Sequence, residues 1–208
     1  MTDKRPREAG DRKNQIIKST VGVMSDHGVA GATTARIAAD VGVSEPALYR
    51  YFRNKQGMLL AALDDISARL VAHTIAAASA DDDVVTRLRA MSAAYYDFAM
   101  SNPEETRVLF EVVSAVRGED MRKAVRDRFA QLLAVIEAVL ADGVAQGALR
   151  KDLDVQLAAW EIFSLGVTLY FASTLGFEDV LTKDKALAAV ERLLDAIKKP
   201  AKERSKSR

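Results

Sequence analysis

The sequence contains no cysteine and only four prolines, eleven glycines and two histidines among its 208 residues. Without cysteine there is no disulfide, no thiol nucleophile and no thiolate metal ligand. With so little proline and glycine, few positions force a helix to stop. No apolar run approaches the roughly 20 residues that cross a bilayer, and the basic N-terminus is not followed by a signal peptide's apolar core. We therefore expect a soluble cytoplasmic protein with no membrane partner.

Enzyme chemistry finds little support in the residues that are present. Neither His27 nor His73 has a glutamate three residues before it, as a di-iron helix bundle requires. The chain has no HExxH, GxGxxG or P-loop sequence. The acidic run Asp81, Asp82 and Asp83 can be interpreted as a cation site or, more commonly at a helix junction, as a cap. The sequence predicts no catalytic residue, no metal site and no cofactor.

Charge is distributed unevenly along the chain. Residues 1–56 contain ten Lys or Arg and six Asp or Glu, residues 57–197 contain fourteen and twenty-two, and residues 198–208 contain six and one. The three parts therefore carry net charges of +4, −8 and +5, although the whole chain is only +1. A basic first quarter on an acidic body favours contact with a polyanion at one end. The same pattern is also compatible with a chance segregation of solvated charges.

The spacing of apolar residues predicts an all-α fold with about nine helices. Ile17, Val21 and Met24 recur at helical spacing before a stop at His27-Gly28. Thr33, Ser44 and Asn54 are expected N-caps of the next three helices. The predicted helices cover about 12–26, 34–41, 44–52, 55–78, 84–101, 104–116, 120–146, 155–175 and 183–198.

The second and third predicted helices are separated only by Gly42-Val43, which is typical of a helix-turn-helix. Gly42 is expected to end the second helix and to take the positive φ of the sharp turn. Leu48 and Phe52 lie four residues apart and are expected to face inward. The remaining residues of the third helix then face outward or sideways; they are Glu45, Pro46, Ala47, Tyr49, Arg50 and Tyr51. Such residues can contact bases and phosphates in a major groove, or they can simply cover the core with amphipathic side chains.

The span from Ile16 to Leu60 resembles the DNA-binding region of the TetR/AcrR family of bacterial transcription regulators. The marks are Ile16-Ile17, His27-Gly28, Thr33-Thr34, Ile37-Ala38, Val41-Gly42-Val43-Ser44, Leu48-Tyr49-Arg50-Tyr51-Phe52, Lys55 and Leu59. The resemblance implies that Thr34, Tyr49, Tyr51 and Lys55 contact the DNA backbone, and that Ser44, Glu45, Pro46, Ala47 and Arg50 lie over the bases. Thr33, at the start of the same helix, completes the predicted set.

Three residues depart from the family pattern. Some relatives carry a base-reading arginine at the position of Ala35, and many carry a threonine at Ala47. Gly57 lies in the first turn of the fourth helix and should weaken it by up to roughly 1 kcal/mol relative to alanine. The base preference therefore does not transfer from any relative.

The resemblance also implies four parts of the chain: a flexible arm 1–11, a DNA-binding domain 12–55, a ligand-sensing and dimerisation domain 56–197, and a basic disordered tail 198–208. The tail either touches DNA or only solubilises the chain. In the sensing domain, aromatic and methionine side chains are candidates to line a site for a small, largely apolar effector, although core packing explains each singly. They are Met91, Tyr95, Phe98, Phe110, Trp160, Phe163 and Tyr170.

The last two predicted helices correspond to the family's dimer surface, usually a four-helix bundle with the partner's pair. Small or apolar residues are the candidates for this interface: Ser164, Gly166, Leu187, Val190, Leu194 and Ile197. The alternative is that the apolar stripe of the last helix packs only within its own subunit. A two-fold homodimer would bind double-stranded DNA at a pseudo-palindrome. The resulting hypothesis is a repressor that its effector releases from DNA. The alternative is an architectural DNA-binding protein of the same fold without an effector.

Overall fold

The computed structural model describes residues 5–78 and 83–198, and within them the chain forms nine α-helices. Apart from the helices, these residues contain one isolated antiparallel bridge, between Leu149 and Lys198. The all-α prediction is confirmed. The helices are α1 (Arg5–Gly31), α2 (Thr34–Val41), α3 (Glu45–Leu48), α4 (Lys55–Ala76), α5 (Val84–Ser101), α6 (Pro103–Ser114), α7 (Glu119–Ala145), α8 (Val155–Thr174) and α9 (Lys183–Ile197).

The start of the chain differs from expectation. Helix α1 begins at Arg5, so residues 5–11 are helical where the sequence predicted a flexible arm. Its predicted stop is confirmed, because Gly28 has a φ of 70° and interrupts the helical backbone before Gly31. The predicted tail lies outside the described residues except for Lys198, which forms an ion pair with Asp195 at 2.8 Å.

The chain divides into two compact units. Unit 1 contains residues 1–69 and 104–128, and unit 2 contains residues 70–103 and 129–208. The boundaries fall inside α4, directly after the first residue of α6, and inside α7, whereas the sequence placed a boundary between residues 55 and 56. That boundary was drawn by expected function, and the assignment of 12–55 and 56–197 to DNA binding and ligand sensing stays a prediction.

Unit 1 has a core of large apolar side chains in which α1, α2, α3, α4 and α6 meet. Its largest fully buried side chains are Ile16, Met24, Ile37, Leu48, Met58, Leu63, Ile66 and Val108. Polar contacts attach α6 to the end of α1: Arg107 donates to the Ser25 carbonyl oxygen, and Glu111 Oε2 accepts from the Val29 N–H at 3.3 Å. These contacts hold the chain reversal at Gly28, which leads into α2.

Unit 2 packs α5, the second half of α7, α8 and α9 around a separate core. Its buried members are Val84, Val85, Leu88, Met91, Leu133, Val139, Leu140, Leu149, Ala158, Ala159, Val190, Leu194 and Ile197. Gly143 is part of the close packing, because an added Cβ would lie 2.6 Å from Val84 Cγ1. The core is thus built from residues far apart in the sequence.

By length and composition alone, α8 would be long and apolar enough to cross a membrane. Core helices of soluble proteins pass the same test. Within the described residues α8 is the single helix that does so. One face of it, with Ala158, Ala159, Gly166 and Leu169, is buried in unit 2.

Candidate nucleic-acid interface and cavity

Helix α2 has the predicted cap at each end. Thr33 has extended backbone angles, and its side chain accepts a hydrogen bond from the Arg36 N–H at 3.3 Å. At the other end Gly42 has φ 73° and ψ 41°, the left-handed conformation that glycine adopts most easily. The Val43 N–H then donates to the Ala38 carbonyl oxygen at 2.9 Å. The helix-turn-helix geometry is therefore set by contacts within a few residues.

Helix α3 is shorter than predicted. It ends at Leu48 instead of Phe52, and residues 49–51 form turns in which the Tyr51 N–H donates to the Leu48 carbonyl oxygen at 3.0 Å. Ser44 occupies the N-cap position, but its side chain makes no capping hydrogen bond. Leu48 and Phe52 are buried as expected, with 0% and 7% of their surface exposed. The prediction that Leu48 and Phe52 face inward is confirmed, although the α-helix ends after one turn and continues as tighter turns.

None of the ten side chains predicted to contact DNA is buried. Six are exposed and four are half-buried; in chain order the set is Thr33, Thr34, Ser44, Glu45, Pro46, Ala47, Tyr49, Arg50, Tyr51 and Lys55. Tyr49 is 49% exposed although it follows a fully buried leucine. An exposed tyrosine and arginine beside a short helix can donate to phosphate oxygens and base edges. The structure brings these residues together on and around α2 and α3.

One hydrogen bond on this surface was not predicted. The Thr34 hydroxyl donates to Glu45 Oε2 at 2.6 Å and joins the start of α2 to the start of α3. Neither burial nor a sequence motif marks this pair, since the residues lie eleven positions apart on an exposed surface. The bond fixes the two helix starts relative to each other before any DNA is bound.

Lys55 begins α4, and Asn54 holds that start in place. Asn54 Oδ1 accepts a hydrogen bond from the Gly57 N–H at 2.8 Å, as the predicted cap requires. An amide donor that would otherwise be unpaired is thereby satisfied. We call residues 44–52, which form α3 and the turn after it, the recognition segment. The position of Lys55 beside this segment is thus determined by a local cap.

Basic residues that the sequence did not single out also lie on the surface of unit 1. The Lys13 ammonium lies 5.6 Å from the Phe52 ring centroid. Arg53, which follows Phe52 in the chain, is exposed. Arg36 donates to the Gly31 carbonyl oxygen at 2.7 Å, so its guanidinium is already engaged. The positive charge of residues 1–56 was the available signal for these residues, but it does not tell which of them are engaged.

Unit 2 contains a cavity of about 160 Å³. Its wall is formed by side chains from α4, α5, α7, α8, α9 and the segment before α9: Leu70, Val71, Thr74, Leu88, Met91, Ser92, Tyr95, Tyr96, Leu132, Val135, Ile136, Ile162, Phe163, Leu165, Gly166, Thr168, Leu169, Leu181, Ala186, Leu187, Ala189 and Val190. All described lining residues are uncharged. An apolar wall with a few hydroxyl groups can hold a small, largely apolar molecule.

Three of the seven predicted ligand residues line this cavity: Met91, Tyr95 and Phe163. The other four do not. Phe98 is buried in unit 2 with its ring 5.9 Å from that of His73. Phe110 belongs to unit 1, and Trp160 is 53% exposed. The Tyr170 ring contacts the Phe171 ring, with 5.6 Å between the two ring centroids. An aromatic residue on an amphipathic helix can face the core, the cavity or solvent, and composition does not separate these cases.

The sequence missed most of the wall, notably Leu70, Val71 and Thr74 at the end of α4 and Leu132, Val135 and Ile136 on α7. These are aliphatic or small residues that read as ordinary core. Their helical spacing indicated a buried face, but not that the face borders an empty space. Only the packing of several helices reveals a cavity.

No group of three or more His, Asp or Glu residues lies close enough to hold a metal ion within the described part of the chain. Asp83 instead caps α5: its carboxylate accepts from the Val85 N–H at 3.0 Å and from the Thr86 hydroxyl at 2.7 Å. The hydrogen bond from the Thr86 hydroxyl is the main reason that the pKa of Asp83 is lowered from its ordinary value. Asp81 and Asp82 lie outside the described residues.

The predicted dimer residues are mostly covered within the subunit. Val190, Leu194 and Ile197 are buried in the core of unit 2, and Leu187 and Gly166 line its cavity. Ser164 is the exposed member of the set. The apolar stripe of α9 thus packs inside the subunit, which is the alternative that the sequence left open. The part that these six residues play in a dimer stays a prediction.

The outer face of α8 and the residue that follows it carry an exposed apolar stripe. Leu157, Trp160, Phe171 and Leu175 are each 53–65% exposed, and they recur at spacings of three, eleven and four residues, so one side of the helix presents them all. Ser164 and Thr168 lie between them on the same side. Apolar side chains in such a row indicate an interaction surface.

Two protein-family models match the chain. A family model described as "Bacterial regulatory proteins, tetR family" matches residues 16–62, and one described as "Tetracyclin repressor-like, C-terminal domain" matches residues 81–171. The first match covers the helix-turn-helix and the start of α4. The second covers most of α5 to α8.

Among curated proteins, the chain is 36% identical over 104 residues to the nucleoid occlusion factor SlmA of Haemophilus influenzae. The match covers 50% of this chain and 48% of that protein, so the chain spans about half the length of the curated relatives it matches.

Two solved structures have a similar fold. A TetR transcription regulator from Haloarcula marismortui has a TM-score of 0.77 and 22% identity, covering 91% of this chain and 100% of its own. The regulator FadR of Bacillus subtilis, in complex with stearoyl-CoA, has a TM-score of 0.71 and 19% identity, covering 87% and 95%. At these identities the two structures establish the fold alone.

Proposed function

Because this chain belongs to the TetR family of bacterial transcription regulators, we propose that it is a ligand-responsive repressor. It binds a pseudo-palindromic DNA operator as a homodimer and is released by a small, largely apolar effector. The observation that best supports DNA binding is that the recognition segment has one buried face and one exposed face. Leu48 is fully buried, while its neighbour Tyr49 is half exposed.

The proposed DNA contacts follow from that separation. Tyr49, Tyr51 and Lys55 contact phosphates, and these contacts set the register of the protein on the duplex. Thr34 lies beside the DNA backbone, but its hydroxyl hydrogen is already donated to Glu45, so it supports this surface without donating to a phosphate. Arg50, with Ser44 to Ala47, lies over the base edges. Glu45 accepts the Thr34 hydrogen bond, so its carboxylate is held in place and offers an acceptor to a cytosine amino group.

A second copy of the chain covers the apolar stripe of α8 in this proposal. Stability of the dimer then depends on burying Trp160 and Phe171, which are large side chains and therefore release the most apolar surface. Trp160→Glu together with Phe171→Glu is expected to convert the dimer to a monomer in analytical ultracentrifugation. Gln156→Glu and Glu161→Gln, on and beside the same helix face, are the controls. A dimer unaffected by the paired substitution would remove α8 from the interface.

Helix α4 gives the effector a route to the DNA contacts. The helix starts with Lys55 and supplies Leu70, Val71 and Thr74 to the cavity wall near its other end. The FadR structure from Bacillus subtilis, with its acyl-CoA, supports an effector site in this fold. An effector changes operator affinity only by the ratio of its affinities for the DNA-bound and free arrangements.

The test of this proposal is the selection of bound fragments from sheared genomic DNA with the purified full chain. The Tyr49→Ala/Lys55→Ala variant is run beside it, with Lys151→Ala as a control that removes the same charge from an exposed site in unit 2. We expect an inverted repeat that the double variant fails to enrich and the control retains. Selection of the same fragments by the double variant would contradict the assigned contacts.

The similarity to SlmA favours a second candidate, a nucleoid-associated DNA-binding protein without a small-molecule effector. The two candidates differ in the number and setting of their sites. Fragments spread along the genome, with an affinity unchanged by any metabolite pool, would support the second candidate. A few sites beside genes, together with a metabolite fraction that raises the melting temperature and weakens DNA binding, would support the first.

A further inference from the structure

The volume of the unit 2 cavity limits what can fill it. A cavity of about 150 Å³ lined by aliphatic and aromatic side chains holds a molecule such as benzene. Drug-sized ligands occupy roughly 300–1,000 Å³. At about 160 Å³ the cavity therefore matches a single substituted ring or an aliphatic group of similar bulk.

The chemistry of the wall limits the charge of the occupant. None of the described lining residues is Lys, Arg, His, Asp or Glu. An ion placed in such a site would lose its hydration without gaining a partner, which costs far more than burying a neutral group. The occupant is therefore neutral.

Three of the five hydroxyl groups in the wall have already donated their hydrogen atoms. Thr74 donates to the Leu70 and Val71 carbonyl oxygens at 3.0 Å, Ser92 to Leu88 at 2.8 Å, and Thr168 to Ser164 at 3.0 Å. Each of these hydrogen bonds stays within its own helix. These side chains can accept a hydrogen bond from a ligand, but their own hydrogens are committed.

Tyr95 differs from these three residues. Its hydroxyl makes no hydrogen bond to another described residue, and its ring lies against α8, where a Cβ on Gly166 would be 2.8 Å from Tyr95 Oη. Part of the Tyr95 surface remains accessible because it borders the cavity, yet burial of the phenol raises its pKa well above the ordinary value of 10.0. The group is thus a neutral donor that lies against α8 in the wall of the cavity.

The remaining hydroxyl, on Tyr96, has a different setting. The Lys183 ammonium lies 5.9 Å from the Tyr96 ring centroid and pairs with Asp97 at 2.5 Å. Both members of that ion pair are about half exposed. Tyr96 therefore lies at the solvent side of the wall. Its hydroxyl can donate to water, so it does not need a hydrogen-bond acceptor from the ligand.

We propose that the cavity binds a neutral molecule of about one substituted ring, whose hydrogen-bond acceptor receives the Tyr95 hydroxyl hydrogen. This inference rests on the proposed function for its biological meaning, but the binding itself does not depend on DNA. A ligand that covers this hydroxyl without pairing with it removes the hydroxyl from solvent and leaves it unsatisfied, which is unfavourable. A ligand acceptor that pairs with it is therefore selected over an apolar ligand of the same shape.

Three probes of equal size test the proposal by calorimetric titration of the full chain without DNA. Acetophenone carries a carbonyl acceptor, α-methylstyrene replaces that oxygen by a CH₂ group, and benzoate carries a charge. We expect acetophenone to bind more tightly than α-methylstyrene by about three- to tenfold, the contribution of one hydrogen bond. Benzoate should show no binding at the concentrations that saturate the protein with acetophenone.

Tyr95→Phe removes only the donor, and Tyr96→Phe is the matched control in the same wall. The Tyr95 variant should lose the preference for acetophenone over α-methylstyrene while still binding α-methylstyrene, which shows that the cavity remains intact. The control should keep the preference. An equal loss in both variants, an unchanged preference in the Tyr95 variant, binding of benzoate, or binding of no probe would each overturn the proposal.

The proposed function fails by a different measurement. Operator fragments from the genomic selection are titrated with the full chain in the presence and absence of saturating acetophenone. If acetophenone binds through Tyr95 but leaves DNA affinity unchanged, the inferred ligand class stands and the proposed effector switch does not. If acetophenone does not bind while DNA binding is specific, the ligand class fails and the DNA-binding function stands.

Discussion

The recognition segment of unit 1 and the cavity of unit 2 are organised by contacts of different range. Around α2 and α3 most bonds join residues three to five apart, as where Thr33 accepts from the Arg36 N–H and Ala38 from the Val43 N–H; the bond from Thr34 to Glu45 is an exception. In unit 2 the ion pairs that join different helices are distant in the sequence: Arg89 donates to Glu191 across 102 residues, and Lys183 to Asp97 across 86. One region is shaped by local motifs and the other by which helices meet. Each of the following substitutions tests one side of this contrast.

The largest effect is expected at the recognition segment, where adjacent residues have opposite roles. Leu48→Ala should lower the free energy of unfolding by about 2–5 kcal/mol, because it leaves a cavity in a fully packed core. Tyr49→Ala should change it by no more than about 0.5 kcal/mol, yet it should weaken DNA binding. Urea denaturation and DNA titration measure the two effects. Equal losses of stability would mean that Tyr49 belongs to the core and not to a binding surface.

A smaller effect, with opposite signs in the two units, is expected from glycine substitutions inside helices. Gly143→Ala should lower the free energy of unfolding by about 1–3 kcal/mol, because its Cβ would overlap the buried Val84 and Leu149 side chains. Gly57→Ala should raise it by up to about 1 kcal/mol, because its Cβ meets only Asn54 Oδ1, at an ordinary 3.5 Å. Thermal and urea denaturation measure both. Stabilisation by Gly143→Ala would show that unit 2 is packed more loosely than described.

The smallest effect concerns the local cap of α5, a motif of the short-range kind within unit 2. Asp83→Ala should cost about 1 kcal/mol at neutral pH. The folded protein lowers the pKa of Asp83 below its ordinary value of 3.8, so the charge stabilises the fold above that pH. The contribution disappears as pH falls through the lower, folded-state value.

Asp83→Asn is the control, because asparagine caps a helix but does not titrate. Stability curves from pH 7 to pH 2 should show the wild-type advantage over this variant shrinking below pH 3.8. An advantage that stays constant in acid would mean that the charge of Asp83 contributes nothing to the cap.

The prediction from sequence succeeded where a signal is contained in a short segment. Gly42 was expected to take a left-handed conformation and does, Asn54 was expected to cap α4 and does, and Phe52 was expected to face inward and does. It failed in the length of α3, because a one-turn helix that tightens at Tyr49 has the same apolar spacing as a longer one. It also missed the bond between Thr34 and Glu45, for which no spacing rule exists.

In unit 2 the prediction placed the helices well but assigned several of their faces wrongly. Helix α8 is apolar on both sides, so periodicity does not tell which side meets the core. The structure turns Gly166 towards Tyr95 and leaves Trp160 exposed. The apolar stripe of α9 at Val190 and Leu194 was expected at a dimer interface, but it is buried in the core of its own subunit.

The sequence by itself determined that this protein is helical, where most helices begin and end, and which side chains of the short α3 segment face the core. The reason is that caps, left-handed glycines and helical periodicity act over a few residues and are written in the residues themselves. Only the tertiary structure decided that a cavity exists, that it is small and uncharged, and that the Tyr95 hydroxyl is left without a partner. These properties depend on how several helices pack together, and packing density is a property of all of them at once.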